Sequence, residues 1–237
     1  MKLRRIETPY RDPLTRTQRI LGWLYLAVHI FVLPGLLTLY GNNSPDGLSN
    51  ITANLIYYGV GLLFCLTVMF SLLRGGFDAL LDRLRLCILT VLLAMLIDYA
   101  LSGGVTLVLL LLEDALVNPN TEAIFEASQV ESGLRGLTVF LIPIVEEVLF
   151  RGVVFGSIRT RSRIWAFAVS ALAFAAYHVW GYAMSDPGQW IYILEYLPIS
   201  VALAWLYERT GTVWPPIFFH MGINAMSVYI TEVLQNL

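Results

Sequence analysis

The chain has 237 residues, of which 57% are hydrophobic and 14% charged, with a mean hydropathy of +0.70 and a formal net charge of −2. A soluble domain carries roughly 25% charge, so this composition excludes one and points to a bilayer. The balance of charge gives no sign of a nucleic-acid partner, and two cysteines, Cys65 and Cys87, supply neither a disulfide framework nor a metal site.

The length suits a single integral membrane domain covering residues 1–237, an all-α polytopic bundle of about seven spans. Six Lys or Arg precede Ile20, and the apolar run Ile20–Tyr40 behind them lacks a small-residue cleavage pattern, so it reads as a retained first span with a tolerated kink at Pro34. A turn-forming loop follows at Gly41–Asn50, then a second span at Ile51–Leu73 and a mixed-charge loop holding Arg74, Asp78, Asp82, Arg83 and Arg85. The third span, Leu86–Leu112, is long enough to tilt or to break at Ser102-Gly103-Gly104. The acidic stretch Glu113–Glu131 reads as an interfacial helix, and the remaining four spans are Leu134–Ser157, Ile164–Met184, Gln189–Tyr207 and Thr212–Leu234.

With seven crossings, 13 of the 15 Lys and Arg fall on the side of the N-terminus, which the positive-inside rule places in the cytoplasm. Trp180, Tyr182, Trp190 and Tyr192 suit an aromatic belt around the outer loop Ser185–Gly188.

The fourth span contains Glu146, Glu147 and Arg151 in the sequence Ile142-Pro143-Ile144-Val145-Glu146-Glu147-Val148-Leu149-Phe150-Arg151. A charge at bilayer depth costs about 2.5–3.5 kcal/mol or more, so such groups are usually partnered and functional. Residues four apart share a helix face and adjacent ones diverge by about 100°, which pairs Glu147 with Arg151 and turns Glu146 toward a different neighbour. Gly152 and Gly156 form a small-xxx-small pair that lets another helix approach.

Of the three histidines, His178 lies one turn after Phe174, and His220 lies one turn before Asn224. At about 1.5 Å per residue, Glu146 lies roughly 20 Å from Arg159, His178 roughly 22 Å from Arg163, and His220 and Asn224 roughly 14 and 20 Å from Gly211. Three helices thus bring a carboxylate, two imidazoles and an amide to similar depths. That set suits hydrolysis, with Glu146 as general base on a water, His178 holding the water, and His220 and Asn224 donating to an oxyanion. A zinc-bound water on Glu146, His178 and His220 is the other chemistry the set allows; the absence of a His-Glu-x-x-His helix favours the metal-free version with no cofactor. Asp98 reads as a hydrogen bond to a neighbouring helix ahead of a cavity residue, His29 as structural, and Glu195 as an interfacial residue.

The ordered motifs Glu146-Glu147-x-x-x-Arg151, Phe174-x-x-x-His178 and His220-x-x-x-Asn224 resemble the signature of the CAAX-protease and bacteriocin-processing (CPBP, Abi) family of intramembrane endopeptidases. The motif-bearing core is about 134–234. The resemblance implies peptide-bond hydrolysis on membrane-associated or lipid-linked peptides, with catalytic Glu146, His178, His220 and Asn224 and supporting Glu147 and Arg151. It also implies membrane lipid and a peptide or membrane-protein substrate as partners. Short length and compact loops suit a bacterial plasma membrane and roles such as bacteriocin immunity. A non-catalytic binding or immunity protein that keeps the fold is the alternative.

Overall fold

The computed structural model describes residues 13–112, Asn118 and 135–235, with no strand among them. The acidic segment expected to form an interfacial helix lies outside the described residues, apart from Asn118. The described chain folds as α1 (Arg16–Asn43), α2 (Asn50–Thr67), α3 (Phe70–Asp82), α4 (Leu84–Leu112), α5 (137–159), α6 (Arg163–Ala183), α7 (Ile193–Thr210) and α8 (Trp214–Gln235). A short 3₁₀ turn, Pro187–Tyr192, precedes α7. This is an all-helical membrane bundle.

The motif helix α5 is the axis of the bundle. Residues 145–157 are buried without interruption, and Val145, Val148, Leu149, Phe150, Val153 and Phe155 are fully covered. A helix apolar on every face is stable only when surrounded, and the other helices do surround it. Gly22 of α1 and Gly61 of α2 allow the closest approaches. A Cβ at Gly22 would stand 2.6 Å from Val153 Cγ2, and one at Gly61 2.6 Å from Val145 Cγ1. On α5 itself, Gly152 lies under Leu72 of α3, whose Cδ2 would be 2.8 Å from an added Cβ. These contacts are packing without spare volume, the kind that an extra methyl disturbs.

Two prolines set the local geometry of the long helices. In α1 a π-helical turn, Val28–Val32, precedes Leu33-Pro34, and in α5 another, Leu137–Leu141, precedes Ile142-Pro143. Proline has no N–H and crowds the preceding turn, so the ladder widens there. A third π-helical stretch, Val148–Phe155, carries Arg151.

Five helical stretches among the described residues are long and apolar enough to cross a membrane: Arg16–Asn43, Asn50–Thr67, Leu84–Leu111, Arg163–Ala183 and Pro187–Thr210. The seven spans expected from sequence included α5 and α8, which carry the polar motifs and are not among these five. The second expected span also differs. It ends at Thr67, where Met69 (φ −98°, ψ 11°) interrupts the helix, and the expected mixed-charge loop is largely the helix α3. The third segment, by contrast, runs unbroken through Gly103-Gly104 for 29 residues.

Ser162 caps α6, its side chain accepting from Trp165 N–H. Glu208 at the end of α7 accepts from Arg159 Nε at 2.5 Å and from Arg163 Nη2 at 2.8 Å, tying together one end of α5, α6 and α7. At the opposite end, Asp186 caps the 3₁₀ turn, and bonds from Gln189 and Gly188 hold its carboxyl below the usual range. Trp190 and Tyr182 are exposed there as a belt requires. Tyr192 is buried against Val179 and Ala183 instead, because the 3₁₀ turn rotates it inward.

Candidate active site

Glu146 and Glu147 part company as helical geometry demands. Glu146 lines a cavity of about 400 Å³ between the helices, together with His178, His220 and Asn224, whereas Glu147 and Arg151 lie behind that wall and are completely buried. All six sequence-predicted residues are therefore brought together, in two layers.

The rear layer is a chain of polar contacts. Arg151 Nε lies 3.1 Å from Glu147 Oε2, and Arg151 Nη2 donates to Ser200 Oγ at 3.2 Å. Its guanidinium sits 4.2 Å from the centre of the Phe174 ring. The other oxygen of Glu147 is 2.9 Å from His220 Nδ1. A carboxylate only accepts, so Nδ1 carries the proton, and Nε2 of a neutral His220 ring is left as a lone pair.

His178 is fixed by the same logic. Its Nδ1 stands 2.9 Å from the Phe174 carbonyl, which also only accepts, leaving Nε2 bare. The ring stacks on Tyr196 at 4.5 Å and abuts Phe174. Both Nε2 atoms face Glu146 Oε2, at 3.7 Å from His178 and 3.8 Å from His220. Glu146 Oε2 itself is buried and has no hydrogen-bond partner among the described residues. Three acceptors thus converge on one point with no donor among them. A group that brings protons to share, such as water, completes the set.

The metal alternative meets these distances directly. Zinc with bonds of about 2.0–2.1 Å holds neighbouring tetrahedral donors about 3.3 Å apart, closer than the separations seen here. Among the described residues no group of three or more His, Cys, Asp or Glu side chains is disposed to hold a metal ion. The donor set has the chemistry of a metal site without its spacing.

Asn224 lines the cavity but commits one amide proton elsewhere, Nδ2 donating to the Thr138 carbonyl at 2.9 Å. This bond fastens α8 to the π turn at the start of α5. One proton of the amide is left to point into the cavity.

Three tyrosines belong to the site and were not singled out from sequence. Tyr58 donates to Glu146 Oε1 at 3.3 Å and its hydroxyl lies 3.1 Å from that of Tyr177. Tyr57 lies 3.2 Å from Tyr177 and donates to the His29 carbonyl at 2.9 Å. This network occupies Oε1 and leaves Oε2 facing the histidines. A Tyr-Tyr pair at the middle of an apolar span was the available signal, since a buried phenol needs a partner. His29 is fully buried, stacked on Tyr57 at 4.1 Å. Asp98 lines the cavity, and so does Glu195, which accepts from Asn118 Nδ2 at 2.6 Å.

Fold and site together define a polytopic membrane protein with a carboxylate–imidazole centre buried between its helices. Residues 132–226, the motif-bearing part of the chain, match the family described as type II CAAX prenyl endopeptidase Rce1-like. The chain is 28% identical over 110 residues to the "Putative membrane peptidase YdiL" of Bacillus subtilis (strain 168), a match covering 46% of this chain and 41% of that protein. It is 33% identical over 95 residues to the UPF0177 protein YxdF of Lactococcus lactis subsp. lactis (strain IL1403), covering 40% of this chain and 48% of that one. The matched part thus spans less than half the length of either relative. No solved structure gives a significant match.

Proposed function

We propose that the chain is an intramembrane endopeptidase that hydrolyses peptide bonds of membrane-associated or lipid-linked peptides. The observation that carries this reading is the convergence of Glu146 Oε2 with the Nε2 atoms of His178 and His220 on one cavity between the helices. The family match over residues 132–226 and a relative named as a putative membrane peptidase support the same class.

In this mechanism a water sits among the three acceptors. Glu146 removes its proton as the oxygen attacks the scissile carbonyl, and Tyr58 steadies the carboxylate from the other side. The free amide proton of Asn224 donates to the developing oxyanion. His220, held by Glu147 through Nδ1, keeps Nε2 directed at the water beside Glu146. Glu146 then passes its proton to the leaving amine. Arg151 balances the charge of Glu147, and Glu147 orients His220. The bacterial relatives favour a bacterial plasma membrane, and the asymmetry of Lys and Arg favours a cytoplasmic N-terminus.

Glu146→Gln tests the reading. In liposomes with a panel of membrane peptides, the variant should fold and insert normally and lose all cleavage. Retained cleavage would refute the role of Glu146. Full biological activity in a variant that cannot cleave would favour a binding or immunity function in place of proteolysis.

A further inference from the structure

The cavity beside Glu146 holds two more carboxyl groups, those of Asp98 and Glu195, and its lining contains no Lys or Arg among the described residues. Glu195 is held by Asn118. Asp98 is different. It is only 5% exposed, and Oδ1 has no hydrogen-bond partner among the described residues. The Tyr99 hydroxyl donates to Met226 Sδ, holding this turn of α4 against the part of α8 that follows Asn224. Asp98 is therefore fixed at the wall of the same chamber as the reacting groups. A carboxylate buried in an apolar bundle is expensive unless a cation or a set of donors answers it. Arg151 does not, being closed off behind Glu147 and Ser200.

We infer that the Asp98 wall is a binding subsite for a cationic group of the substrate, an ammonium or guanidinium carried close to the scissile bond. This rests on the peptidase reading and narrows its substrate class to peptides with a basic residue or a free amino terminus that reaches the cavity. The apolar lining from Ile142 and Ile223 suits the aliphatic stem of a lysine or arginine side chain, and the carboxylate receives its head.

The test uses the full chain with the Glu146→Gln substitution, in nanodiscs, so that binding is read without turnover. The probes are leucine–alanine peptides one span long with blocked termini, each carrying at successive positions either a lysine or an acetyl-lysine, plus a lysine-free peptide with a free amino terminus. At one position the lysine peptide should bind about tenfold tighter than its acetylated counterpart. Tighter binding of the peptide with the free terminus would instead identify the terminal amine as the source of the charge. Adding Asp98→Asn should abolish the preference, and Asp98→Glu should keep it. Equal binding of charged and neutral probes, absence of binding, or a preference that survives Asp98→Asn overturns the inference. The unsubstituted protein is run on the same peptides for cleavage. Charge-selective binding without cleavage refutes the peptidase reading and leaves the cation site standing; cleavage without charge preference does the reverse.

Discussion

Removing the positive charge of Arg151 should cost more than removing both charges of its pair. Arg151 and Glu147 are each fully buried, 3.1 Å apart, with Phe174 against the guanidinium. In Arg151→Met the Glu147 carboxylate keeps His220 but loses its compensating cation, and breaking a buried pair from one side costs about 3–5 kcal/mol. Glu147→Gln/Arg151→Met leaves no uncompensated charge. It forfeits the Ser200 bond, about 1 kcal/mol, and the ring contact, about 1–2 kcal/mol. The double variant should therefore be more stable than Arg151→Met by about 1–2 kcal/mol. Reversible unfolding in mixed micelles of lipid detergent and dodecyl sulfate, run as a double-mutant cycle, measures this difference. Additive losses from the two single substitutions would refute the account of Glu147 as a carboxylate that requires Arg151.

Three further outcomes follow from the same geometry. Tyr58→Phe removes the donor to Glu146 Oε1 and should lower kcat by about tenfold with little change in KM, read from cleavage rates of the best peptide in the panel. Gly61→Ala forces a methyl to within 2.6 Å of Val145 and should cost about 1–3 kcal/mol of stability in a thermal melt, whereas Gly59→Ala, with nothing within 4 Å, should melt close to the unsubstituted protein. Strong chelators should leave cleavage unchanged, given the spacing of the three acceptors; loss of activity on chelation and its return with zinc would refute the metal-free mechanism.

What could be read from sequence divides along physical lines. Glu147 and Arg151 are four apart on one helix, so their pairing follows from helical geometry alone. The depths of Glu146, His178 and His220 follow from rise per residue. Neither argument reveals partners across helices. That His220 takes Glu147 through Nδ1, or that Asn224 bonds the Thr138 carbonyl, depends on how α8 docks on α5, which no spacing within one segment records. The tyrosine network escaped for a related reason: Tyr57, Tyr58 and Tyr177 count as ordinary apolar-span residues until their hydroxyls meet. Hydropathy likewise passes smoothly over Thr67–Phe70, because Val68 and Met69 are as apolar as the helices they separate. Gly103 and Gly104 look like a break and are not one. Among the described residues, nothing lies within 4 Å of a Cβ added at either position, so no described neighbour pulls the helix open there.

The adjacency of Glu146 and Glu147 now has a physical account. A base for hydrolysis needs an oxygen open to the cavity, and a histidine beside it needs its far nitrogen held. One carboxylate could not do both, since the cavity and the bundle core lie on different sides of the helix. Two consecutive residues, about 100° apart, reach both sides at one level. The second carboxylate would be an uncompensated charge in the core, so the third residue of the motif follows at one turn's distance. Arg151 neutralises Glu147, and Glu147 orients His220 beside Glu146. The three charges are then one device, with the cavity-lining carboxylate as its working end and the Glu147–Arg151 pair as its support.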